Sequence, residues 1–590
     1  MLADTVLTAL HRTFGFPALR GVQDQVIDRV MTGQSTLAVM PTGAGKSLTY
    51  QLPAVILPGT CVVVSPLIAL MHDQLRAAAA NGIRAASLTS ADMDREATIE
   101  RFRNGALDLL YVAPERASQA HFRALLETAP ISLFAIDEAH CVSEWGHDFR
   151  PDYRLLRPLL DQFDEVPRLA LTATADAHTR ADILAQLGIP DAGLIVAGFD
   201  RPNIRYAIRP RDNAGQQLAA LMREEPGPGI IYAQTRMQVE KLAAKLGSAG
   251  RKVLPYHAGL DPEVRRANQA AFVASEDMVM VATVAFGMGI DKPDVRFVAH
   301  AGCPKSIEAY YQETGRAGRD GDPARAVMLW GADDFARARQ RLSEVEEHRR
   351  AGESARLAAL ANLVETAACR RAILLRHFGE DPPATCGNCD NCLEAPGVTD
   401  ATQLAQKLLS AVYRTGQSFG LGYLEKVLTG VSDERVLQRG HDQLSVFGIV
   451  GSDEAPLLRP LARALQARGS LVATEHGGLA LGGDGRAILK GEAPVLIVVT
   501  PRATRTRRRD RGSTEPNPLA DPLFEALRIL RRELAMEAGL PPYVIFHDAT
   551  LREMASQRPA SSRELGELSG VGARKLEAYG DAFLAVIRQH

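Results

Sequence analysis

The sequence predicts an α/β protein: two tandem parallel-sheet lobes, the first carrying a phosphate-binding loop, followed by a zinc-binding helical region, a winged helix and a small all-helical domain. Three observations predict it. Short apolar runs alternate with helical stretches in two successive series, the rhythm of parallel sheets flanked by helices. Val39-Met-Pro-Thr-Gly-Ala-Gly-Lys-Ser47 follows an apolar run, at the place where a strand hands over to a helix. Cys386, Cys389 and Cys392 recur at three-residue intervals beyond the second series.

The 590 residues are enough for several domains with separate cores. The net charge is −2, so any nucleic-acid binding must come from local patches rather than overall basicity. No run reaches the ~18 apolar residues of a membrane span, and the first residues lack a charged-then-apolar secretory pattern. A cytoplasmic protein is therefore expected. Seven cysteines, an odd number in a non-secreted chain, argue against a disulfide framework.

The first lobe is expected over residues 1–198, with strands at 37–40, 61–64, 107–112, 133–136 and 169–172. In its loop, Thr42-Gly-Ala-Gly-Lys-Ser47, Gly43 and Gly45 let the backbone turn its amides toward an anion at the start of the next helix. Lys46 adds a positive charge near the β/γ-phosphates, and the Ser47 hydroxyl reaches Mg²⁺. Ile131-Ser-Leu-Phe-Ala-Ile-Asp-Glu-Ala-His140 ends another strand. There Asp137 would hold hydrated Mg²⁺ and Glu138 would polarise the attacking water. An Asp-Glu pair alone reads as a solvated turn; beside the phosphate loop it reads as a nucleotide site.

The second lobe, 199–334, repeats the rhythm at 229–233, 252–256, 278–283, 295–300 and 326–329 without a phosphate loop, so it should complete the site from across a cleft. Tyr311-Gln-Glu-Thr-Gly-Arg-Ala-Gly-Arg-Asp320 places Arg316 and Arg319 on one face of a helical turn, where both could meet a γ-phosphate. The alternative is two arginines on a solvated helix. Residues 335–398 read as long helices leading to the cysteines. Cys386, Cys389 and Cys392, with Cys369 or Cys303 as the fourth thiolate, suit tetrahedral Zn²⁺ of structural type; redox pairing is the competing reading. Residues 399–496 combine helices with a ribbon-like tail at 471–481, the pattern of a winged helix. Residues 497–517 have the composition of an Arg-rich tether, with six Arg and one Asp between Pro501 and Arg511, and 518–590 read as all-helical.

With those strings in hand, the chain resembles the RecQ DNA helicases of superfamily two over its whole length. Met40 stands where the longer loop of kinases and small GTPases has Gly, which favours the shorter Thr-Gly-x-Gly-Lys-Ser form of helicases. Leu19-Arg-Gly-Val-Gln23 resembles the adenine-reading motif, implying that Gln23 bonds the base edge with Phe16 and Arg20 beside it; Gly21-Val22 replace the usual Pro-Gly. Gln312 joins the implied nucleotide contacts. Ser65-Pro-Leu-Ile-Ala-Leu-Met71, Tyr111-Val-Ala-Pro-Glu-Arg116, Thr172-Ala-Thr-Ala175 and Tyr256-His-Ala-Gly259 resemble DNA-contacting and coupling motifs. Cys141-Val-Ser-Glu-Trp-Gly-His-Asp-Phe-Arg-Pro-Asp-Tyr153 resembles the family's aromatic-rich loop. Trp145 and Phe149 offer faces for unpaired bases, worth ~1–3 kcal/mol each, Arg150 adds a phosphate or stacking contact, and His147 would link base occupancy to the water at Glu138. Burial of the two aromatics in the lobe core is the alternative.

The resemblance further implies RecA-like lobes and Cys369 as the fourth zinc ligand. It implies duplex binding by the winged helix, around Gly440-His-Asp-Gln-Leu-Ser-Val-Phe447, and an HRDC-like domain at the end. There Arg574 and Lys575 either meet phosphates or form a solvated face. The implied activity is ATP-, Mg²⁺- and Zn²⁺-dependent 3′→5′ unwinding of forked double-stranded DNA by movement on single-stranded DNA. The implied setting is recombination, repair and the SOS response in a bacterial, nucleoid-associated cytoplasm, with single-strand-binding protein and a topoisomerase as partners. An RNA-remodelling ATPase of the same superfamily and a DNA-annealing scaffold with little hydrolysis are the rival readings.

Overall fold

The computed structural model describes residues 2–66, 68–89, 94–143, 149–248, 250–287, 292–474, 478–499 and 521–590. Trp145 and His147 and most of the Arg-rich segment 497–517 lie outside the described residues.

The first lobe is a seven-stranded parallel sheet. Its strands are β1 (Thr36–Val39), β2 (Thr60–Val64), β3 (Ala85–Leu88), β4 (Leu109–Val112), β5 (Ile131–Ile136), β6 (Arg168–Thr172) and β7 (Leu194–Val196), in the order β3-β4-β2-β5-β6-β1-β7. The second is six-stranded and parallel: β8 (Ile204–Pro210), β9 (Gly229–Tyr232), β10 (Val253–Tyr256), β11 (Val279–Ala282), β12 (Phe297–His300) and β13 (Ala324–Trp330), ordered β10-β11-β9-β12-β13-β8. Helices cover both faces, so the central strands are buried along their length and read as continuous apolar runs. Three strands are additional to the sequence reading. β3 is Ala-Ala-Ser-Leu, with little β-branched character, β7 is a three-residue edge strand, and β8 is an edge strand whose apolar residues are interrupted by Arg205 and Arg209.

Beyond the lobes, helices Ala332–Glu344 and Glu347–Glu365 lead to the cysteine region. One apolar cluster runs unbroken from Phe134 through Phe199 and Tyr310 to Phe378, fixing that region to both lobes. The next unit has a core of its own, built on helices Thr402–Arg414, Leu421–Leu428 and Leu458–Arg468. It carries the expected ribbon, β15 (Leu471–Ala473) against β16 (Leu479–Leu481), and a second antiparallel pair, β14 (Gly397–Asp400) with β17 (Leu496–Val499).

The C-terminal helices, from Pro522–Ala538 to Ala573–Gln589, form another separate core and dock back on both lobes. Against the first lobe, Gly570 N donates to Gly15 O at 2.9 Å. Gly15 has φ +71°, and a Cβ there would lie 2.5 Å from Gly572 N, so only glycine fits. Against the second lobe, Arg528 and Arg531 meet Glu276 at 2.7 and 3.1 Å, and Arg552 Nη1 meets Asp322 at 3.0 Å.

Candidate nucleotide and metal sites

The carboxyl ends of β1, β5 and β6 lie side by side, and the loops after them converge, as in other open parallel sheets where ligands gather at strand ends. After β1, Gly43 (φ +87°) and Gly45 (φ +74°) take the left-handed conformations that open the loop. Lys46 Nζ folds back onto the carbonyls of Met40 (3.1 Å) and Pro41 (3.4 Å), marking the hollow that a phosphate would occupy. After β5, Asp137 lines the same cleft and is half-buried. Burial first, and the neighbouring Glu138 second, push its carboxyl up to about 7, with Lys46 pulling the other way. Asp137 Oδ1 accepts the Glu138 amide at 3.0 Å, and Tyr153 Oη donates to the Asp137 carbonyl at 2.8 Å.

Glu138 itself is in the left-handed region at φ +48°, uncommon for a residue with a Cβ and a mark of local strain at this turn. Its Oε2 lies 3.3 Å from His140 Nδ1. The same nitrogen is 3.0 Å from Thr172 Oγ1, whose hydroxyl meets the Thr174 carbonyl at 3.2 Å. This buried chain from the carboxylate to the loop after β6 was not singled out from the sequence. His140 stood in the Asp-Glu-Ala-His string, yet only the fold brings Thr172 to it.

Gln23 closes the opposite side of the loop. Its Nε2 donates to the Ala44 carbonyl at 2.9 Å and its Oε1 accepts the Arg20 amide at 2.8 Å, so it is held against the phosphate loop. Gly21 supplies the turn before it at φ +55°, which is how a Gly-Val pair can stand where Pro-Gly is usual. Phe16 is half-buried and Arg20 exposed at the mouth.

From the second lobe, helix Ile307–Thr314 stops before the arginines, which therefore sit on the turn after the helix rather than on it. Gly318 at φ +55° folds that turn. Arg316 is buried, and its Nε has no hydrogen-bond acceptor among the described residues. Burial pushes the adjoining Tyr232 up to about 12 against the pull of Arg316. Arg319 passes so near the phosphate loop that a Cβ on Gly43 would lie 3.5 Å from its Cγ. A cleft of about 590 Å³ is thereby lined by Phe16, Arg20, Gln23, the loop from Met40 to Ser47, Asp137, Glu138, Gln312, Arg316 and Arg319. It is of a size to hold a nucleotide. His547 of the C-terminal domain also lines it.

Of the aromatic-rich loop, Phe149 is half-buried with the Arg154 guanidinium 5.3 Å from its ring centre. Arg150 Nη1 donates to the Pro66 carbonyl at 3.0 Å, joining this loop to the string at 65–71.

The four sulfurs of Cys369, Cys386, Cys389 and Cys392 lie within 4.8 Å of one another. Cys389 and Cys369 are 3.9 Å apart and Cys386 and Cys392 4.0 Å, close to the ~3.8 Å edge of a tetrahedron with 2.3 Å Zn–S bonds. Backbone amides of Ala372 and Asn388 point at two of the sulfurs, favouring thiolates. The donor set fits zinc, with no open position. Cys303 lies elsewhere, its amide bonded to Asp334. At the C-terminal domain, Arg574 is exposed with its guanidinium near Gly82 of the first lobe, and Lys575 is half-buried, which holds its amine down to about 8.

Residues 20–183 match the DEAD/DEAH box helicase family and 213–321 the helicase conserved C-terminal domain. Residues 332–393 match RecQ zinc-binding, 395–506 the RQC domain and 520–587 the HRDC domain. An ATP-dependent DNA helicase RecQ of Haemophilus influenzae is 40% identical over 99% of this chain and 96% of its own length. The protein of the same name from Pasteurella multocida is 40% identical over 100% and 94%, and that of Bacillus subtilis 36% over 98% of each chain.

Proposed function

Because the chain belongs to the RecQ family and is an ATP-dependent DNA helicase, we propose that it moves 3′→5′ along one strand and opens forked duplexes by closing and reopening its two lobes around ATP. The observation that carries this reading is the single cleft lined from one side by the phosphate loop, Asp137 and Glu138 and from the other by Arg316 and Arg319.

In this reading the amides after Gly43 and Gly45 cradle the phosphates, and Lys46 swings from the Met40 carbonyl to the β/γ-phosphates. Thr42 borders that cradle. Ser47 and Asp137 hold Mg²⁺, and Glu138 orients the water. Gln23 reads the adenine edge with Phe16 and Arg20 at its side, and Gln312 reaches in from the second lobe. Arg316 and Arg319 meet charge that develops on the γ-phosphate, worth several powers of ten in rate in related phosphoryl transfers. The stacking role of Trp145 and Phe149, with Arg150 at the backbone and His147 reporting to Glu138, belongs to the same reading. So do the division into the six segments 1–198, 199–334, 335–398, 399–496, 497–517 and 518–590, the repair and recombination setting, the cytoplasmic location, and single-strand-binding protein and a topoisomerase as partners. Among the described residues no helix is long and apolar enough to cross a membrane. Cys369, Cys386, Cys389 and Cys392 would hold Zn²⁺, which supplies folding energy to its module.

The test is a comparison of forks carrying a 3′ or a 5′ single-stranded tail, with Mg²⁺-ATP. Preferential opening of the 3′-tailed fork is expected. Equal or faster opening of the 5′-tailed fork overturns the polarity.

A further inference from the structure

One side chain ties the two walls of the nucleotide cleft together without lining it. Arg201 lies in the segment between β7 and β8, where the chain passes from one lobe to the other. Its Nη1 donates to the carbonyl of Thr42 in the phosphate loop at 2.8 Å and to that of Gly315 at 3.2 Å. Its Nη2 donates to the carbonyls of Ala317 and Gly318, both at 2.9 Å. A planar guanidinium can serve four acceptors in two loops at once; a lysine ammonium cannot span them. The three second-lobe acceptors flank Arg316, and the single first-lobe acceptor is next to Gly43, the residue that Arg319 crosses at van der Waals distance.

The backbone that carries Arg201 is itself held from behind. Arg371 Nη2 donates to the carbonyls of Arg201 and Pro202, each at 3.2 Å, and of Ile204 at 2.8 Å. Asn388, from the loop between two of the cysteines, donates to the Pro202 carbonyl at 3.1 Å. Glu380 accepts the Phe199 amide, and the Phe199 ring stacks on Phe378 at 4.6 Å. Asn203 Nδ2 adds a bond to the Gly318 carbonyl at 2.8 Å. A strut anchored at one end and bonded to both loops at the other fixes their spacing.

We propose that Arg201 is a positioning residue for ATP hydrolysis: it sets the distance between the phosphate loop and the turn bearing Arg316 and Arg319, and it does not touch nucleotide. All its donors that face the loops are committed to carbonyls, and it is absent from the residues lining the cleft. Loss of the strut lets the arginine turn drift, and a misplacement near 1 Å at a reacting centre costs about 100-fold in rate. This rests on the reading of Arg316 and Arg319 as γ-phosphate contacts.

The experiment uses the full chain and the variants Arg201→Ala, Arg201→Lys, Arg316→Ala, Arg319→Ala and the double variant Arg201→Ala/Arg319→Ala. DNA-stimulated kcat is expected to fall by about 10- to 100-fold in both Arg201 variants, with the Kd for ADP within about threefold of wild type. Affinity for ADP–aluminium fluoride, a mimic of the transferring phosphoryl group, should fall by the same factor as kcat, because only the transition state needs the arginines in register. Because Arg316 rides on the same turn, the double variant should be slower than Arg319→Ala alone by less than the factor that Arg201→Ala costs in the wild-type background. A kcat within threefold of wild type in Arg201→Lys, an equal loss of ADP and ADP–aluminium fluoride affinity, or additive effects in the double variant each overturn the proposal. If Arg201→Ala does not fold, the lysine variant and its ADP–aluminium fluoride affinity decide. An undiminished kcat in Arg319→Ala and Arg316→Ala overturns the underlying reading instead, and is distinguishable because it does not involve Arg201.

Discussion

Replacing Glu138 with Gln separates the two jobs that the ends of β5 perform. The amide keeps the size of the side chain and loses the carboxylate proposed to orient the water. Loss of a positioned acid–base group costs about 10²–10⁴ in rate, or about 3–5 kcal/mol in barrier at 1.36 kcal/mol per decade. Nucleotide binding should move the other way. Asp137 is held up to about 7 by burial and then by Glu138. Removing the Glu138 charge takes away the second cause of that rise and favours the carboxylate, so affinity for Mg²⁺-nucleotide should be kept or improved. The assay pairs single-turnover hydrolysis of ATP with equilibrium binding of a fluorescent nucleotide in Mg²⁺. A tenfold loss of affinity, or a rate within fivefold of wild type, would show that Glu138 serves the site in some other way.

Cys389→Ser should take zinc from about one per chain toward none and lower the unfolding temperature of the cysteine region, as three thiolates hold Zn²⁺ far more weakly than four; metal content by mass spectrometry and melting by calorimetry decide it. Glu365, between the long helices and the winged-helix unit, is pushed up to about 7 by burial, opposed by Arg468 and Arg463. Its folded value lies above its unfolded one, so the folded state binds the proton more firmly and stability declines as pH rises from about 4.5 to 7. Glu365→Gln should therefore match wild type near pH 4.5 and exceed it above pH 7, by at most about 3 kcal/mol. Denaturation at pH 5 and pH 8 reads this directly, and a gap that does not widen with pH contradicts it.

The phosphate loop, the Asp-Glu pair, the arginine turn and the Cys386–Cys392 triplet were legible in the sequence because each is a local string, whereas Cys369 as the fourth thiolate came through family likeness. Gln23 was legible only through family likeness; nothing local says that its amide will reach the Ala44 carbonyl. The links between strings were not legible. His140 meets Thr172 because β5 and β6 are neighbours, and Arg201 meets Thr42 because the lobes face one another. An arginine in a Pro-containing connector looks like any surface charge until its four carbonyls are in view. The missed strands have a similar cause: β3 and β7 are short sheet-edge segments whose pairing comes from a neighbour rather than from their own composition.

The meeting of Gly15 with Gly570 and Gly572 joins backbone more than five hundred positions apart. During synthesis the early turn therefore emerges long before its partner exists, and both lobes, the cysteine region and the winged helix have time to fold first. A contact of such sequence separation is also slow to find by chance. Ribosome-bound chains halted short of the last helix should consequently leave this turn uncovered and open to protease, while the sheets behind it are already closed.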